Sequence, residues 1–290
     1  VILPAFTFFA TAGAVWNAGF TPVFCDVDPD TFNVTAETVD AVWTDRTRAV
    51  IPVHLYGQMA PMGEIRKMAE GRGAFVLEDA AQAVGAAQRC PTGSGQSRPP
   101  GQDPAGVGDG NSEGEEGAFA RAGAMGHAGA FSFFPTKNLG GFGDGGMVTT
   151  ADEEMAEKVL KLRVHGGRQM YHHEMVGTNS RLDALQAAVL RAKLPHLAAW
   201  CEGRRRNARL YDEILADLAA VRTPVTASMN QHVYNQYTLR VHRRDELREF
   251  LGSRGIGSGL YYPLGLHLQE CFGSLGGRPG QLPVTETLTQ

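Results

Sequence analysis

Lysines usually sit on solvated faces, so one set among aromatic, proline and glycine residues stands out. Lys137 lies in Phe131-Ser-Phe-Phe-Pro-Thr-Lys-Asn-Leu-Gly, just after an apolar run and before a glycine-rich turn. Desolvation at such a place lowers an amine's pKa and makes it nucleophilic toward a carbonyl. Asp79, in Glu78-Asp-Ala-Ala-Gln, ends a second apolar run that begins at Ala74. A carboxylate at a strand end can pair with a ring cation. A Schiff-base lysine and an acid for the pyridinium nitrogen are what a pyridoxal phosphate site requires. The acid keeps the ring protonated, so that the ring can accept electrons from the substrate. A lone turn lysine is common at surfaces; the ordered pair, each member beyond an apolar run, is the specific signal.

Other chemistries find less support. Gly140-Gly-Phe-Gly-Asp-Gly-Gly contains Gly-x-Gly-x-x-Gly at Gly141, Gly143 and Gly146. That fingerprint needs a helix after it, and Met147-Val-Thr-Thr is strand-like instead. No phosphate-binding Gly-x4-Gly-Lys segment occurs, and Gly177 stands where His173-Glu174 would need a second histidine for a zinc site. Cys25, Cys90, Cys201 and Cys271 lack zinc-ligand spacing, so no metal centre is expected and the cysteines read as reduced, unpaired thiols. With 27 basic and 31 acidic residues the net charge is −4, which argues against nucleic acid or an anionic membrane as partner. Arg204-Arg-Arg reads as a solvated helix face, and Asn33-Val-Thr as an unused sequon. No apolar run approaches a membrane span, and no signal peptide opens the chain. The expected compartment is the cytoplasm.

The elements that must hold Lys137 and Asp79 follow from periodicity. Strands are expected over Thr21–Val27, Ala49–Leu55 and Ala74–Asp79, with a helix over Met59–Glu70 that places Met62, Ile65 and Met68 on one side. Strand, helix, strand at this period predicts a parallel α/β sheet, whose ligands sit beyond the carboxyl ends of strands. His54 and Asp79 fall at such ends. Gly129–Phe134 and Gly145–Thr150 are further strands. Thr150 and Glu153 look like a capping box opening the next helix. Arg181–Trp200 reads as another helix, with Leu182, Leu185, Val189 and Leu190 on its apolar side and Pro195 kinking or ending it. Residues 88–123, rich in Gly, Pro, Ser and Glu, predict a disordered insertion. The 290 residues divide into a large domain, 1–220, and a small α+β domain, 221–290, with a strand at Tyr237–Val241, a helix at Arg244–Arg254 and an extended Gly259–Pro263. Val1-Ile-Leu-Pro reads as a strand entered midway, so the chain is expected to be a piece of a longer protein.

Taken together, these segments resemble the DegT/DnrJ/StrS family of pyridoxal-phosphate-dependent nucleotide-sugar aminotransferases. The likeness is carried by Pro4-Ala-Phe-Thr-Phe-Phe-Ala-Thr, Pro52-Val-His-Leu-Tyr-Gly-Gln, Glu78-Asp-Ala-Ala-Gln-Ala and the Phe131–Gly140 segment. It extends through Gly143-Asp-Gly-Gly-Met, Val164-His-Gly, Gly177-Thr-Asn-Ser-Arg-Leu-Asp-Ala-Leu-Gln-Ala and Tyr261-Tyr-Pro. The resemblance implies the type I (aspartate-aminotransferase-like) fold of pyridoxal phosphate enzymes: a mostly parallel central sheet, helices on both faces, and a smaller α+β C-terminal domain. It implies that Lys137 forms the Schiff base and shuttles a proton, while Asp79 salt-bridges the pyridinium nitrogen. Gln82 would lie near the cofactor's ring oxygen, Phe8 would stack on its face, and Ser132 would hydrogen-bond its phosphate. Asn179 would reach the phosphate in the neighbouring subunit of a homodimer with shared active sites. His54, His165, Tyr261 and His267 would lie near the sugar.

The implied reaction moves an amino group from glutamate or glutamine to a keto group of a nucleotide-linked sugar. The resemblance also implies a phosphate-cradling Ser-Gly-Thr loop ahead of Val1 and a C-terminal domain continuing past Gln290. Gly265 stands where many members of the family have proline. A sugar dehydratase of the same family would be expected to carry histidine in place of Lys137. A catalytically silent regulatory or structural homologue is the alternative of another class.

Overall fold

A computed structural model describes residues 1–90 and 118–290. The chain opens with β1 (Ile2–Pro4), α1 (Ala10–Asn17), β2 (Val23–Cys25), α2 (Ala36–Asp40), β3 (Ala49–Val50), α3 (Met62–Gly71) and β4 (Phe75–Asp79). It continues with β5 (Ala87–Arg89), β6 (Phe119–Arg121), β7 (Ala128–Ser132), β8 (Gly146–Thr150), α4 (Glu153–Leu162), α5 (Ala184–Lys193) and α6 (Leu197–Leu215). The last elements are β9 (Val221–Arg222), β10 (Asn230–Gln231), β11 (Arg240–Val241), α7 (Arg244–Ser253) and α8 (Pro283–Leu288).

The central sheet runs β2-β1-β3-β4-β7-β8. All its neighbours are parallel except β7 and β8, which pair antiparallel over five residues from Ala128↔Thr150 to Ser132↔Gly146. Both faces are covered over β1–β4, which is why those strands are mostly apolar rather than alternating, whereas β8 at the sheet margin leaves Met147 and Val148 exposed. Ile2, Cys25, Val50 and Val76 enter one core with Met62 and Ile65 of α3. Their strand neighbours Leu3, Phe24, Ile51 and Leu77 face the opposite core, with Ala12 and Val15 of α1. Because the strands are parallel, the chain after Pro4, Asp79 at the end of β4 and Ser132 at the end of β7 come to one edge.

Several expectations shift at their boundaries. The helix after β8 is capped by Asp152, whose carboxylate accepts from Met155 N at 3.1 Å, and not by Thr150. Thr150 Oγ1 donates to His127 O at 2.7 Å and accepts from Asp152 N at 3.1 Å, ahead of the helix rather than from its first turn. The helix expected over Arg181–Trp200 breaks at Pro195 into a 3₁₀ turn, Leu194–His196, because proline brings no N–H; α6 then follows. Leu190 is buried, whereas Leu185 is exposed. Residues 259–263 join no ladder.

The disorder expected over 88–123 does not hold at the two ends of that segment. Gln88 and Arg89 pair with Ala120 and Phe119, and β10 joins the other side of β5. Backbone hydrogen bonds and the buried Gln88 amide, which donates to Ala60 O and accepts from Met62 N, offset the polar composition at these ends. Residues 91–117 lie outside the described part. The expected 220/221 boundary is also crossed by packing. Leu266, Phe272 and Leu282 sit in the core of β1 and α1, and Val284 N and Thr285 N donate to Asp26. The four cysteines are free thiols. Asn33 is buried, its amide shared between Gln58 O and Leu55 N. Among the described residues no helix is long and apolar enough to cross a membrane.

Candidate active site

The turn that carries Lys137 is anchored on both sides. Phe133 and Leu139 pack on Leu190 of α5, the Asn138 amide donates to Val233 O at 3.0 Å, and Lys193 Nζ donates to Gly140 O at 2.7 Å. Lys137 N closes the turn on Phe134 O at 2.9 Å. The side chain is thereby held half-buried at the sheet edge. Burial lowers the Lys137 pKa below the usual lysine range, and the charge of Asp79 works against that shift. Asp79 thus lies within electrostatic reach of the lysine.

Asp79 is fixed by both of its oxygens. Ala81 N donates to Oδ1 at 3.1 Å, and Thr11 Oγ1, from α1, donates to Oδ2 at 2.7 Å. Its backbone is locked between strands, with Asp79 N donating to Pro52 O and His54 N donating to Asp79 O, both at 2.9 Å. Phe8, ahead of α1, leaves 59% of its surface uncovered and approaches Tyr262 with ring centroids 6.5 Å apart. Ser132 is partly exposed, and its Oγ accepts from Phe134 N at 3.2 Å.

The remaining expected residues divide. Gln82 is buried at the margin, where its Oε1 accepts from Tyr56 N at 2.5 Å and its amide nitrogen donates to Tyr262 OH at 3.1 Å. Tyr261 is exposed, and its carbonyl accepts from Tyr56 OH at 2.6 Å. His165 is exposed, in a left-handed conformation with φ 68°. Asn179 forms an isolated bridge with Val164 and is exposed, while Asp183 precedes α5.

His54 and His267 are corrections. His54 is 0% exposed, and its Nε2 meets Glu78 Oε2 at 2.8 Å, so it cannot line a sugar pocket. Its Nδ1 accepts from Ala60 N at 3.2 Å, which puts the proton on Nε2. His267 is 3% exposed, with Nε2 at 3.2 Å from Glu286 in the C-terminal segment.

Glu78, beside Asp79, accepts from His54 and from three backbone N–H groups of the loop before β7. Those from Gly123, Met125 and Gly126 are 2.8, 2.6 and 2.5 Å long. Gly123 takes φ +80° there, and a Cβ on Gly129 would meet Gly123 Cα at 2.4 Å, so both glycines are required.

Sequence reasoning missed two residues. Tyr262 packs edge-on against Phe6. Burial raises its phenol pKa well above the usual range; the Gln82 bond opposes the shift and the Asp79 charge adds to it. The signal was its adjacency to Tyr261. Thr11 was legible only as three residues beyond Phe8, in the first turn of α1.

A two-sided parallel sheet with a desolvated lysine and a doubly held aspartate at one edge defines the class of pyridoxal-phosphate-dependent transferases. The profile of the DegT/DnrJ/EryC1/StrS aminotransferase family matches residues 1–290, and the chain belongs to this family of pyridoxal-phosphate-dependent aminotransferases. It is 48% identical to the pleiotropic regulatory protein of Geobacillus stearothermophilus, over 99% of this chain and 70% of that one. It is 44% identical to the UDP-N-acetyl-3-dehydro-alpha-D-glucosamine 3-aminotransferase of Acidithiobacillus ferrooxidans, over 94% of this chain and 66% of that one. Among solved structures, DesV of S. venezuelae in complex with a ketimine intermediate superposes with a TM-score of 0.86 at 40% identity, covering 99% of this chain and 70% of DesV.

The side chains present fit the cofactor. The Lys137 amine, whose pKa burial lowers, suits an aldehyde, Asp79 offers a fixed carboxylate for a ring nitrogen, and the exposed Phe8 side chain offers an aromatic surface to a ring.

Proposed function

We propose that the protein transfers an amino group from glutamate or glutamine to a keto carbon of a nucleotide-linked sugar, in the biosynthesis of amino sugars. The observation that carries this reading is the Lys137–Asp79 pair at one sheet edge, in a chain 44% identical to an enzyme named for such a transfer on a UDP-sugar. Bound pyridoxal phosphate supplies an aldehyde that holds the amino group and a ring that accepts an electron pair. Lys137 would hold the cofactor's aldehyde carbon through its amine and would move a proton at the substrate carbon. Asp79 holds the proton on the ring nitrogen. Phe8 orients the ring, Ser132 donates toward the phosphate, and Tyr262 with Gln82 closes the site on the Phe6 side. In this reading His165 and Tyr261, both exposed, meet the sugar.

The working form in this reading is a cytoplasmic homodimer, with Asn179 reaching the neighbour's cofactor phosphate. Support comes from the segment leading to Asn179, where Met170, Tyr171 and Val176 are 77, 86 and 96% exposed. Side chains this apolar are normally covered by a partner. Four free thiols suit a reducing compartment.

One relative is named as a regulatory protein. A silent homologue would not need a desolvated lysine facing an acid. Borohydride reduction of the cofactor-loaded protein, followed by peptide mapping, separates the two readings. A pyridoxyl label on Lys137 supports catalysis. No label, or a label on Lys161 or Lys193, refutes it.

A further inference from the structure

Asp79 must present one oxygen to the ring nitrogen, so whatever orients its carboxylate governs that contact. Two donors do so, and they come from different elements. Ala81 N belongs to the backbone just beyond β4 and binds Oδ1 at 3.1 Å. Thr11 Oγ1 comes from α1, 68 residues away in sequence, and binds Oδ2 at 2.7 Å. Thr11 is 7% exposed, so water cannot readily replace it. A hydroxyl has one proton to donate, and here it goes to the acid. Thr11 N also points back to Phe8 O at 3.4 Å. One turn therefore carries the aromatic ring for the cofactor's face and the hydroxyl for its acid.

We propose that Thr11 is the positioning residue for Asp79, setting the plane of the carboxylate that meets the cofactor's ring nitrogen and coupling it to the Phe8 turn. The inference rests on the cofactor reading above and deepens it. Thr11 touches neither cofactor nor substrate. Its effect passes through Asp79 and is confined to ligands that carry a ring nitrogen.

The test compares Thr11→Val, which replaces the hydroxyl with a methyl of similar size, and Thr11→Ser, which keeps the hydroxyl. Binding of pyridoxal phosphate and of its 1-deaza analogue, which has carbon in place of the ring nitrogen, is measured by titration. Thermal unfolding is followed on the cofactor-free proteins. Thr11→Val is expected to bind pyridoxal phosphate about 10-fold to 100-fold more weakly. Its affinity for the deaza analogue and its unfolding midpoint should stay near wild type, and Thr11→Ser should restore binding. Equal losses for both ligands, or no loss for either, overturn the proposal. If Thr11→Val does not fold, Thr11→Ala carries the same comparison. If the wild type binds neither ligand, the cofactor reading itself fails, and this inference fails with it.

Discussion

Replacing Glu78 by glutamine tests whether the buried acid beside Asp79 is a clamp. Glu78 Oε1 takes Met125 N and Gly126 N, and Oε2 takes Gly123 N and His54 Nε2. All four partners donate. Glutamine has one oxygen and one NH2 group, so in either orientation two donors face another donor. His54 cannot relieve this by moving its proton, because Nδ1 would then confront Ala60 N, now at 3.2 Å. Two buried donors left unpaired cost roughly 1–3 kcal/mol each, or about 2–6 kcal/mol together. At about 2–4 °C per kcal/mol for a chain of this order of size, the unfolding midpoint should fall by roughly 10 °C. Scanning calorimetry at neutral pH, on cofactor-free protein, measures it. Burial alone would raise the Glu78 pKa; the bonds from His54, Gly126 and Gly123 outweigh it and hold the carboxyl below the usual range. The clamp is therefore at full strength above the ordinary carboxylate range and is lost as pH falls through the depressed value. Glu78→Gln should flatten that acid limb. A midpoint within about 2 °C of wild type at neutral pH, less than 1 kcal/mol on the same scale, would refute the reasoning.

Two further expectations concern the site directly. Limited acylation of the cofactor-free protein across a pH series should give Lys137 a lower midpoint of reactivity than Lys158, since burial lowers the first pKa and the Glu154 partner raises the second. Mass spectrometry reads each lysine, and a Lys137 midpoint at or above that of Lys158 contradicts the desolvation argument. Mixing inactive Lys137→Ala and Asn179→Ala proteins under conditions of subunit exchange should restore part of the turnover, because one site in each mixed dimer is intact. No recovery despite confirmed exchange would place Asn179 in its own subunit's site, or in none.

The surroundings of Lys137 and Asp79 were legible because they are local. A lysine within Phe-Phe-Pro-Thr-Lys-Asn-Leu-Gly announces its desolvation, and an acid ending Phe-Val-Leu-Glu-Asp announces a strand end. The parallel sheet was legible for a similar reason: apolar runs separated by a helical period require both faces covered. Cap identity was less so, since Thr150 and Asp152 are both competent acceptors, and only the folded backbone shows that Thr150 takes the N–H of Asp152 while Asp152 takes that of Met155.

The histidines mark where sequence stops. His54 and His267 have the residue type and the approximate position of substrate ligands, yet each is buried against a carboxylate, one 24 and the other 19 residues away. The Thr11 hydroxyl meets its acid across 68 residues. Sequence alone determined which side chains are candidates for the chemistry and which strand ends carry them. Tertiary structure alone decided which of those side chains are available to a ligand and which are consumed as partners, because burial and hydrogen-bond partnership depend on groups brought together by the fold rather than by the chain.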